Sequence, residues 1–110
     1  MPEEFLESEE SLGEFLAAFW AGTFPVKRWT HGAHVAMAAS VLWSEPVRVA
    51  LPLIREGIKK YNVAQGGANT ATSGYHETLT RLWVGLVAGF LASLPADASR
   101  LEAVRAAHGR

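Results

Sequence analysis

Cysteine is absent from this sequence, and with it go disulfides, thiolate nucleophiles and every thiolate metal site. Any bound metal must therefore rest on imidazole, carboxylate or water. A basic run is missing too. The ten Lys and Arg are scattered against eleven Asp and Glu, for a formal charge of -1, which leaves no footprint for nucleic acid as a partner. No apolar stretch reaches the roughly 18 uninterrupted residues of a membrane span, and the start MPEEFLESEE lacks the basic and then apolar character of a signal peptide. The expectation is a cytoplasmic protein that does not engage a membrane. Finally, no segment alternates apolar and polar residues with a period of two for long enough to argue for strands.

What is there reads as helix. The chain has 110 residues, 49% hydrophobic and 19% charged, a composition that points to one globular domain spanning residues 1–110. A domain of this size buries roughly two-thirds of its unfolded surface, and a homodimer would add the burial it is short of. Phe5, Leu6, Leu12, Phe15, Leu16, Phe19 and Trp20 recur at three- and four-residue spacing, so a first amphipathic helix is expected, with Ser8 or Ser11 as a cap. The five glutamates before residue 11 suit a solvated helix start. Ala21 to Pro25 ends that helix through Gly22 and Pro25.

Thr30 is a good cap for a second helix over His31–Trp43, with His31, His34, Val35, Ala38, Val41 and Leu42 on one inward face. A third helix follows Pro46 to about Val63, and Pro52 predicts either a kink or a start near Leu51. Gln65–Gly74 is a polar, glycine-rich loop. Thr72 and Ser73 then offer caps for a fourth helix over about Gly74–Ser93, apolar nearly all the way round. Such a helix belongs at the centre of a bundle or in an oligomer contact, and Gly85 and Gly89 would admit a close neighbour. After Pro95, Asp97 or Ser99 caps a last helix that runs through Leu101 and Val104 to a solvent-exposed His108. The fold class is all-α, a compact bundle of four to five helices.

Three of the four histidines fall at helix starts: His31 and His34, three residues apart on one helix face, and His76 at the start of the fourth helix. If both helices begin at one end of the bundle, the three imidazoles and Glu77 converge. Imidazole suits zinc, iron, nickel or copper, and a helix amino terminus disfavours imidazolium, keeping the ring nitrogens free. Glu77 reads three ways: as a metal ligand, as a general base beside a metal-bound water, or as an ion-pair partner of Arg81 four residues on. Trp29, Tyr75, Thr80 and Trp83 would wall the pocket and orient a ligand.

Three uses of the site follow from these residues. The first is a divalent-metal site, open to enzymatic use on a small polar substrate; the second is a metal-free small-molecule pocket with histidine acid/base chemistry. The third is a helical protein-interaction module. The segments WTHGAHVAMA, IKKYNVAQG and GYHETLTRLW resemble a family of small uncharacterised bacterial helical proteins. The likeness spans about residues 26–94 and implies that His31, His34, His76 and Glu77 are its polar motif positions. It implies no particular activity.

Overall fold

The computed structural model describes residues 4–67 and 77–109, and among them it shows helices and turns but no strand. A single 3-10 turn at Glu4–Leu6 precedes α1 (Glu9–Ala21), and a second, Val26–Arg28, precedes α2 (His31–Ser44). Then come α3 (Val47–Ala64), α4 (Glu77–Ala92) and α5 (Arg100–His108). The radius of gyration is 13.3 Å, close to the roughly 13 Å of a packed chain of this length. The expected compact all-α bundle is what forms.

Each start has a chemical cause. Ser8 and Ser11, the two candidate caps of α1, act as one reciprocal pair: each backbone N–H donates to the other's hydroxyl at 3.0 Å. Phe5 and Leu6 are not part of that helix. They fold back from their own turn, and Phe5 stacks on Phe15 with ring centroids 4.1 Å apart. Gly22 ends α1 in the left-handed region, φ 77°, where a side chain would also run into Ala64. Ser99 and Glu102 form a second reciprocal cap at the start of α5.

α3 is continuous through Pro52, so of the two expectations the start near Leu51 is not the one taken. The proline sits in the second turn on an exposed face, so the Arg48 carbonyl it leaves without a donor can turn to water. Tyr61, buried near the other end, donates from its hydroxyl to the Phe24 carbonyl at 2.5 Å.

The centre of the bundle is α2, not α4, which leaves the first of the two places expected for α4 already taken. Ala33 and every residue from Val35 to Ser40 are buried, because α3, α4 and α5 all pack on this helix and its side chains are small enough to let them. The single inward stripe is therefore too narrow a description, and His31, assigned to that stripe, is exposed. α4 lies outside: of its residues only Thr80 and Val84 are buried, while Leu79, Leu82 and Leu86 are 56%, 60% and 67% exposed. Nothing lies within 4 Å of where a side chain would start at Gly85 or Gly89, so the close neighbour expected there is absent among the described residues. α5 covers α2 instead and half-buries His108, which was expected in solvent.

Candidate functional site

His34 is the best-defined polar group at the start of α2. Thr30 caps the helix with its hydroxyl, accepting from Ala33 N at 3.2 Å, and its carbonyl accepts from the His34 backbone N–H at 3.0 Å. The same carbonyl lies 2.7 Å from His34 Nδ1. A carbonyl can only accept, so Nδ1 carries the proton and Nε2 presents a lone pair. The ring lies against Trp29, with centroids 4.0 Å apart, and meets the edge of Trp83 at 6.3 Å. Trp29 in turn packs on Phe19 and Tyr61, both at 4.9 Å. The imidazole is thus anchored to the aromatic core. Burial, foremost, and then the neighbouring His31 hold its pKa below 6.5, against the opposing effect of the Thr30 hydrogen bond.

His31, one turn earlier, is exposed. His76 and Tyr75 lie outside the described residues, as do the caps Thr72 and Ser73. The convergence of three histidines is thus followed only at two of them, and no group of three or more His, Asp or Glu suited to a metal occurs among the described residues. The helix directions do suit convergence. Trp83 of α4 reaches His34 near the start of α2, and Leu42 and Trp43 share a hollow with Leu91 and Leu94 at the other end, so α2 and α4 run the same way.

Glu77 opens α4 and is fully engaged. Arg55 of α3 grips it with two bonds, Nε to Oε1 at 2.8 Å and a terminal nitrogen to Oε2 at 2.9 Å. Arg81 donates to Oε2 as well. The ion pair with Arg81 was legible from the four-residue spacing; the stronger fork from Arg55 was not, because nothing in sequence ties a residue in mid α3 to one 22 positions later. The fork fixes the start of α4 against α3, and for a partly exposed pair it stabilises by about 1 kcal/mol. Thr80, the next turn's inward residue, is buried, and Trp83 is half-buried.

Beside the histidines, α2, α4 and α5 leave a hollow of about 320 Å³ whose lining includes His31, Val35 and Trp83. Chemically the arrangement offers one neutral, oriented imidazole, an exposed second one a turn away, and an apolar recess that shares the Trp83 wall. No helix among the described residues is long and apolar enough to cross a membrane. Compared with protein-family models, curated proteins and solved structures, the chain matches none.

Proposed function

We propose that the chain binds a divalent cation, zinc, iron, nickel or copper, through His31, His34 and His76, and that open positions on the ion take water or a small polar substrate. The observation that carries this reading is the state of His34. A metal needs a deprotonated nitrogen, and a ligating imidazole commonly donates its other N–H to a fixed acceptor. Thr30 supplies that acceptor, and burial keeps the ring neutral. His76 is grouped with the other two because all three stand at helix starts in the sequence, and the resemblance to the small bacterial helical family supports the same grouping. Glu77, held by two arginines, takes a positioning role at the start of α4 in this reading, with neither of the catalytic roles open to it in the sequence. A cytoplasmic setting belongs to the same proposal.

The test is element analysis of protein purified without added metal, followed by zinc titration watched at the imidazole nitrogens by NMR. Stoichiometric metal and a shift at His34 Nε2 are expected, with His34→Ala weakening affinity at least about tenfold. Metal-free protein that also ignores added zinc would end the reading. The engaged carboxylate and the apolar recess favour a second one, a metal-free pocket in which His34 Nε2 acts as a base. That reading gains if the first fails.

A further inference from the structure

The hollow beside the histidines is too small for a helix and has the wrong lining for an ion. A single helical turn, about 5 Å long and 10 Å across, would already exceed its volume of about 320 Å³. That volume sits at the low end of the about 300–1,000 Å³ typical of small-molecule pockets. Among the described residues its lining includes no Asp, Glu, Lys or Arg, so a charged group placed against these side chains would lose its water without gaining a partner from them. Two aromatic side chains, Trp83 and Phe90, stand among aliphatic ones, and such faces favour a flat ring over a flexible chain. Among the described residues of the lining the exposed His31 is the titratable one, and Trp83, which lines the hollow, also meets His34 at a centroid distance of 6.3 Å.

We infer that the hollow between α2, α4 and α5 binds the uncharged aromatic body, one or two rings, of the molecule on which the histidines act. This rests on the reading of His31 and His34 as ligands of the ion that receives the substrate's polar end. It names what that reading left open: the substrate carries its polar end towards the imidazoles and its ring against Trp83, Val35 and Val87. The specificity of the site then comes from the apolar recess, and its chemistry from the imidazoles.

Indole is a suitable probe, titrated into the full chain with the methyl groups followed by carbon-13 NMR. Saturable shifts are expected at Val35, Leu86 and Val87, with none at Val49 or Leu53, which line a separate hollow between α1 and α3. Val87→Phe, which fills the recess from a half-buried position, is expected to weaken indole binding about tenfold; His34→Ala, which removes the proposed ligand, should keep it. No methyl shift up to the solubility of indole, or equal shifts at Val49 and Leu53, would overturn the inference, and the parent protein alone decides this if Val87→Phe fails to fold. Indole binding by a chain that takes up no metal would sink the metal reading and leave the pocket standing. Metal binding without indole binding would do the reverse.

Discussion

Thr30 acts on His34 twice, through a hydroxyl that starts the helix and a carbonyl that sets the tautomer of the ring. Because the second contact is backbone, substitution at residue 30 would not remove it, and the lone pair at Nε2 is a property of the helix start itself. The depressed pKa of His34 has a consequence for stability. The unfolded chain takes up this proton near pH 6.5 and the folded chain only at lower pH, so between those values unfolding is favoured by proton uptake. Stability from this group is complete above about pH 6.5 and is lost as pH falls through the folded value. Urea midpoints should drop between pH 7.5 and 5.5, and His34→Gln should flatten part of that slope. A His34 titration at or above 6.5, followed by NMR of the ring protons, would contradict the prediction. At this scale the sequence was legible where chemistry is local. The Thr30 cap, the Ser8 and Ser11 candidates and the Glu77–Arg81 spacing could all be read from neighbours within four residues. Arg55 on Glu77 could not, because it depends on how α3 and α4 dock.

Helices, too, were legible in proportion to how local their causes are. Four of the five begin within a residue or two of a foreseen cap or proline, and the described part of α4 lies inside its expected span. What failed was the central place expected for α4 on its apolar character. α4 is richer in large apolar residues than α2, yet α2 is central because alanine admits neighbours on every side, which a pattern of large hydrophobic residues does not reveal. The contact between α1 and α3 was also invisible in sequence. Gly57 is buried in mid-helix, and a Cβ there would fall 2.5 Å from the Trp20 ring. Gly57→Ala should therefore lose about 1 kcal/mol and push the Trp20 indole outward, seen as a red shift in its emission, although alanine is the better helix former. In a Trp20→Ala background the same change should stabilise by about 1 kcal/mol, since only propensity remains. Equal effects in both backgrounds would show that the ring yields without cost.

For the whole molecule, α5 decides whether the bundle closes. Arg105 reaches across to the Leu6 and Glu7 carbonyls at 2.7 and 2.8 Å, and Arg100 pairs with Glu9 at 2.6 Å. Between these ties Val104 is wholly buried beside α2. A chain ending at Ala98 would bare the face of α2 that α5 covers and free the turn at Glu4–Leu6. Such a truncation should lose cooperative thermal unfolding by circular dichroism, whereas Val104→Ala in the full chain should cost about 1–3 kcal/mol and keep it. A truncated chain that still melts in one sharp step would refute this closing role.

The run of alanines in α2 also reverses the usual arithmetic of a core. In most cores the costly substitution is the one that shrinks a side chain, because a hole is left behind. At the buried Ala33, Ala36, Ala38 and Ala39 there is little to shrink, and an added methylene must press on a packed neighbour. Substitution at these four positions is therefore costly when it enlarges the side chain. The outward face of α4, with its leucines open to solvent, leaves room for larger side chains, and the imidazoles of His31 and His34 sit at the end of α2 where its packed segment meets the surface.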